Sequence, residues 1–362
     1  MNTQQNVAAT TGKPHRQPLG RRMLKWTVVM IAVVATLIGM LISILFWNAL
    51  STERPVGFQA VQAKDADGKP MMVAIWYPTQ TPTAPKWAGS FFMQVAANGA
   101  IAGNQLPLIV LSHGTGGSVT SHADLALALA AAGFVVAAPM HSDNYLDISS
   151  VGTPAYFTGR TAQLRVSIDY MLQQWPEHQR IDANRIGAYG FSIGAFTVLT
   201  AAGAKPDLRG VAAYCAAQNE FACDMLRQAN SFLLGSNLPA NFDSFLVDTR
   251  IKAVVIAAPG LGFTFKGPDA LANVKMPVQL WQGDQDDNVP ATSNAQVIRD
   301  QLGSSVEFQL VPNAAHLSFL APCGILKLAP ICRDPDGFDR QVFHDAMNPR
   351  VVEFFAKQLA LP

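Results

Sequence analysis

At 362 residues the chain is long enough for one large domain or two small ones, each able to bury a core. A net charge of +1 and only 14% charged residues, with no basic stripe after residue 52, exclude a nucleic-acid surface. Hydrophobic residues make up 49% of the chain, and part of that excess is local.

The local part is Trp26 to Trp47, an uncharged run of 22 residues. At about 1.5 Å each these give about 33 Å, enough to cross a bilayer core of ~30 Å. Lys13, Arg16, Arg21, Arg22 and Lys25 precede the run, and no acid comes before Glu53. The positive-inside rule predicts a basic cytoplasmic tail over 1–25, a transmembrane anchor over 26–47 and a catalytic domain over 48–362 across the membrane. Cleavage as a signal peptide at Ala49-Leu50-Ser51 is the competing reading, although the run exceeds the usual ~7–15 apolar residues. Both readings export the domain, to the periplasm or outside the cell, as an anchored or a cleaved secreted form. In an oxidising compartment Cys215, Cys223, Cys323 and Cys332 predict two disulfides. Of three connectivities, short loops favour Cys215–Cys223 and Cys323–Cys332. No C-x-x-C spacing occurs, so no metal site is expected.

From Val56 the chain alternates in short blocks. Val56 to Ala63 and Met71 to Tyr77 are predicted strands joined by the Asp65-Ala-Asp-Gly68 turn. The proline- and glycine-rich stretch 78–106 reads as an irregular connection. Strands at Leu108–Leu111, Phe134–Ala138 and Arg185–Tyr189 alternate with helices at about 120–132, Thr161 to Trp175 and from Ile193. Later strands are expected at Ile251–Ile256, Val278–Trp281 and Val306–Leu310, with helices at about 291–302 and 347–359. This rhythm predicts an α/β fold with a mostly parallel central sheet and helices on both faces. Residues 205–248 interrupt it, where a few would suffice. They are expected to form a cap insertion over the strand ends; the alternative is a surface excursion away from any substrate.

Gly190-Phe191-Ser192-Ile193-Gly194 sits between a predicted strand and a predicted helix with no loop residues to spare. This places Ser192 on a sharp, strained turn as a nucleophile. A serine nucleophile needs a base, a group to orient the base, and donors for the oxyanion. Ser112-His113-Gly114-Thr115-Gly116-Gly117 follows the Leu108 strand and leaves backbone N–H groups free. Thr115 and Ile193 are therefore the expected oxyanion-hole donors, with His113 and Gly114 beside the substrate. In Gly283-Asp-Gln-Asp-Asp-Asn-Val-Pro290 the G-x-x-D-x-x-V-P pattern selects Asp286 over Asp284, with Asp287 in reserve. His316 alone follows both serine and acid at a strand end. His344 follows them too, but at a predicted helix start. His141, after the Phe134 strand, is expected to line the site.

Together these motifs resemble the α/β-hydrolase superfamily over roughly residues 55–360. Val73-Ala-Ile-Trp-Tyr-Pro78, Leu111-Ser-His-Gly114, Ala315-His-Leu-Ser-Phe-Leu-Ala-Pro-Cys323 and Gly337-Phe-Asp-Arg340 are similar to its exported "predicted dienelactone hydrolase" group, near the platelet-activating-factor acetylhydrolases. The resemblance implies an α/β-hydrolase fold and a Ser192–His316–Asp286 triad working through an acyl-enzyme. Dienelactone hydrolases carry a cysteine nucleophile, so Ser192 turns the expectation toward ordinary carboxylic esters, whether carboxylesterase, lipase-like or acetylhydrolase-like. No cofactor is expected; the partners are a small-molecule or lipid-like ester and, through the N-terminal helix, a membrane. The alternatives are a peptidase or amidase on the same triad and a non-catalytic binding protein of hydrolase fold.

Overall fold

The computed structural model describes residues 19–89, 91–324 and 329–360. Lys13 and Arg16 of the expected basic tail lie outside the described residues. The chain divides into two units, the first ending at Asn48 and the second beginning at Ala49. The first contains α1 (Leu19–Trp47), in which Met23–Ile44 is long and apolar enough to cross a membrane.

The second unit is built on one ten-stranded sheet. β1 (Val56–Lys64) and β2 (Pro70–Pro78) form the expected antiparallel hairpin, in register from Val56↔Pro78 to Lys64↔Pro70. The stretch expected to be irregular instead holds a second hairpin, β3 (Ala84–Ala88) and β4 (Phe91–Ala97). Pro85 is tolerated because β3 is the outermost strand, where a missing N–H leaves no ladder bond unmade. β4 joins the sheet beside β1, with Met93 and Val95 buried on alternate positions.

The six parallel strands are β5 (Leu106–Ser112), β6 (Val135–Pro139), β7 (Ile181–Phe191), β8 (Ile251–Ala257), β9 (Val278–Gly283) and β10 (Val306–Val311). The sheet order is β10-β9-β8-β7-β5-β6-β2-β1-β4-β3. β5 lies between β6 and β7, so the connections reverse direction there, and the crevice at such a switch point is where open α/β sheets bind ligands.

Alternation along the strands feeds two cores. Val110, Ile186, Val254 and Leu280 face α3 (Arg160–Gln173), α4 (Ile193–Ala201) and α7 (Ala295–Leu302). Ile109, Tyr189, Val255 and Trp281 face α2 (Ala123–Ala131) and α8 (Arg340–Gln358). α8 begins well before the expected residue 347, with Asp339 as N-cap accepting the Val342 N–H at 3.1 Å. Pro349 lies inside it on the exposed face, where the carbonyl it leaves unpaired reaches water.

Residues 205–248 carry α5 (Val211–Ala217) and α6 (Phe221–Gln228), joined by a Cys215–Cys223 disulfide. Cys215, Leu226, Leu233 and Phe242 are buried in the first core, so the insertion is rooted in the domain. The second disulfide joins Cys323 to Cys332, and both are the short-loop pairs.

Candidate active site

Four of the parallel strands, β5, β7, β9 and β10, bring a candidate residue to the site from their C-terminal ends. β7 ends at Phe191, α4 begins at Ile193, and Ser192 between them has φ 57° and ψ −122°. That conformation is strained for a residue with a Cβ, and the surroundings hold it in place. The Ser192 N–H donates to Ala257 C=O at 3.0 Å, and its carbonyl accepts the Gly260 and Ala195 N–H groups at 3.0 Å. A Cβ at Gly190 would lie 2.2 Å from Gly194 O, and one at Gly194 would lie 2.0 Å from Ser112 O. The two glycines are there because strand, helix and neighbouring strand meet with no space for a side chain.

His316 opens the short 3-10 turn His316–Phe319 after β10. Its Nε2 lies 3.0 Å from Ser192 Oγ and its Nδ1 2.8 Å from Asp286 Oδ2. Asp286 follows β9, and its Oδ1 accepts the Val289 and Asn288 N–H groups at 2.9 and 3.1 Å. Its carboxylate is therefore oriented from both sides. Asp284 and Asp287 are exposed; Asp284 accepts the Asn313 N–H at 2.6 Å and ties the acid loop to the histidine loop. The Phe191 ring packs 4.8 Å from the His316 ring, shielding it from water.

After β5, the loop Gly114–Gly117 crosses the mouth of the sheet. Among the described residues, neither the Thr115 nor the Ile193 N–H has an acceptor in the protein. Both residues line a cavity of about 440 Å³ that also contains Ser192, Gly114 and His316. Phe91, Tyr145, Phe221, Met225, Leu261 and Leu320 make its walls largely apolar. Arg340 also reaches the cavity, but its guanidinium is spent on Asp334 at 2.9–3.2 Å and on Ile331 C=O at 3.2 Å. Tyr156 lines the cavity with its hydroxyl 2.6 Å from Thr115 Oγ1, and burial raises the phenol above its ordinary value.

Two residues expected beside the substrate sit elsewhere. His113 and His141 are buried behind the loop and are absent from the cavity wall. The His141 backbone N–H donates to His113 Nε2 at 3.0 Å, so the His113 proton is on Nδ1, which donates to Gly114 C=O at 2.7 Å. Burial, with Arg160 adding to it, lowers His113 to about 3 and holds His141 well below its ordinary value. His141 bridges Ser112 Oγ and Gln163 Oε1, each at 2.9 Å. Both rings support the loop from behind, His113 through Gly114 C=O and His141 through its bonds to His113 and Ser112. His344 is on α8, bonded to Asp124 and not to the candidate triad.

Arg160 and Asp143, both fully buried as an ion pair, were missed from the sequence. A signal was present: Arg160 falls at i−4 from Leu164 and i−8 from Ile168, on the apolar stripe of its helix. Burial pushes the Asp143 carboxyl up, against the opposing pull of Arg160.

The sequence profile of the family "Platelet-activating factor acetylhydrolase, isoform II" matches residues 83–163, a segment that holds the Gly114–Gly117 loop and ends before Ser192. No curated protein matches the chain. Among solved structures, a ferulic acid esterase from Streptomyces cinnamoneus is similar, with a TM-score of 0.61 and 20% identity over 85% of this chain and 91% of that one. In all, 869 solved chains match in structure, so likeness of fold does not by itself select a substrate. The profile match and the shared architecture support a relationship to the α/β-hydrolase superfamily, whose fold this chain has.

Proposed function

We propose that the protein is a serine hydrolase of uncharged carboxylic esters. The observation that carries this reading is the pair of hydrogen bonds linking Ser192 Oγ, His316 and Asp286 at 3.0 and 2.8 Å. His316 Nε2 takes the proton of Ser192 as Oγ attacks the ester carbonyl, and Asp286 holds the imidazole with its other proton on Nδ1. The Thr115 and Ile193 N–H groups receive the oxyanion, a contribution of about 3 kcal/mol per donor in comparable sites. His316 then protonates the departing alkoxide. In the second half-reaction it deprotonates water as the oxygen attacks the acyl carbon, then returns that proton to Ser192 Oγ as the acyl–oxygen bond breaks and the acid leaves. The profile match to an acetylhydrolase family and the fold shared with an esterase agree with this reading.

The walls support the substrate class. On the described walls, aromatic and aliphatic side chains predominate and Arg340 is paired with Asp334, so a substrate bearing its own carboxylate finds no unpaired cation. Phe221, Ala222 and Met225 of the insertion reach the cavity, which supports its role as a cap. Two disulfides fit an oxidising compartment, and with α1 they support an anchored domain outside the cytoplasm.

A panel of p-nitrophenyl esters, one with a terminal carboxylate, and matched aminoacyl amides tests the proposal on wild type and Ser192→Ala. Turnover of neutral esters that vanishes in the variant is expected. Amide turnover without ester turnover would instead favour a peptidase.

A further inference from the structure

Resting on the hydrolase reading, the geometry points to Arg160 as the positioning residue of both oxyanion donors. The guanidinium is fully buried and reaches three segments at once. Its Nη2 donates to His113 C=O, two residues before Thr115. Its Nη1 pairs with Asp143, whose own backbone carbonyl accepts the Gly116 N–H at 2.9 Å, one residue after Thr115. The loop is thus held on both sides of Thr115 through one side chain.

The third segment is the helix behind the nucleophile. Arg160 Nε donates to Thr197 Oγ1 at 3.1 Å, and the Thr197 hydroxyl donates to Ile193 C=O at 2.9 Å. The peptide units around Thr115 and Ile193 come from different strand ends, yet each is one hydrogen-bonded step or two from the same planar cation. A guanidinium suits this work because its donors diverge at fixed angles, where an ammonium offers a point charge on a flexible stem. Oxyanion donors act through being fixed before the charge develops. A bolt of this kind therefore changes transition-state stabilisation more than ground-state binding.

Arg160→Lys keeps the charge and loses the fork, and Thr197→Val removes only the link to Ile193. In the full chain with disulfides intact, kcat is measured per active site titrated by an organophosphonate, so that unfolded protein is not counted. KM is measured beside it, as is inhibition by a trifluoromethyl ketone, whose tetrahedral adduct needs the oxyanion donors. Arg160→Lys is expected to lower kcat per site about 10–100-fold and Thr197→Val about 3–10-fold, with KM within about threefold and the ketone weakened in step. Unchanged kcat per titrated site in both variants, or a loss that appears in KM with the ketone unaffected, overturns the proposal. If Arg160→Lys yields no folded protein, Thr197→Val decides alone. Failure of the wild type to label or to turn over any ester sinks the hydrolase reading and this one with it, whereas an active wild type with normal variants sinks only the positioning role.

Discussion

His344 Nδ1 lies 2.6 Å from Asp124 Oδ2, joining α8 to the first turn of α2. Its Nε2 lies 2.9 Å from Ser318 C=O, in the turn that carries His316. With a carboxylate against one nitrogen and a carbonyl against the other, the ring is held at both edges and braces the back of the site. Burial alone would raise Asp124, but the charge of His344 and hydrogen bonds from His344 and Asn348 lower it from 3.8 to about 2.

Acid stability follows with a definite sign. A carboxyl depressed in the folded state contributes stability that is present above pH 3.8 and lost as pH falls toward 2. The contribution is on the order of 2 kcal/mol. Urea unfolding of wild type and Asp124→Asn at pH 5, 3.5 and 2.5 is expected to show a shallower acid slope in the variant. Equal slopes would contradict the assignment.

The turn at Ser192 leaves no space for an added carbon. Gly194→Ala places a methyl 2.0 Å from Ser112 O, a backbone atom that cannot swing aside. The expected result is loss of folded, active protein, at a cost of several kcal/mol from overpacking. Gly267→Ala, where a Cβ meets nothing within 4 Å, serves as the matched control and is expected to behave as wild type. Normal activity in Gly194→Ala would show that strand and helix do not meet as described.

Phe221 and Met225 of the insertion line the cavity and are expected to set its preference for large esters. Phe221→Ala and Met225→Ala each remove apolar wall, and about a tenfold fall in kcat/KM for aryl or long-acyl esters is expected. Acetate esters, too small to reach that wall, are expected to change less than about threefold. Equal effects on both substrates would return the insertion to a surface excursion.

Export is checked by mass and by thiols. Retention of the full-chain mass in a carbonate-washed membrane fraction is expected from α1 as an anchor, and loss of about 50 residues would mark a cleaved signal instead. All four cysteines are paired in the structure, so unreduced protein is expected to have no titratable thiol. One reactive thiol per chain would undo the compartment assignment.

Much of this was legible before the fold was known, for one reason. Parallel strands buried on both faces announce themselves as apolar runs, and the candidate residues stand at their ends; the G-x-S-x-G turn pointed to Ser192, the G-x-x-D-x-x-V-P spacing to Asp286, and chain order at a strand end to His316. What escaped depended on pairing across the chain. The β3–β4 hairpin hid behind Pro85, harmless only because β3 is an edge strand. Arg160 stood on the apolar stripe of its helix, but its partners Asp143, His113 and Thr197 come from three other parts of the chain. His113 and His141 were correctly placed near the loop but on its wrong side, since a sequence gives the strand end and not the direction in which the ring turns.

The most direct test of the central claim is covalent. Incubating the folded, unreduced protein with a fluorophosphonate and mapping the adduct by peptide mass spectrometry is expected to place one phosphonyl group on Ser192. The adduct should be absent in Ser192→Ala and strongly slowed in His316→Ala. Labelling elsewhere, or none in protein shown to be folded, would contradict the assignment of Ser192 as the nucleophile.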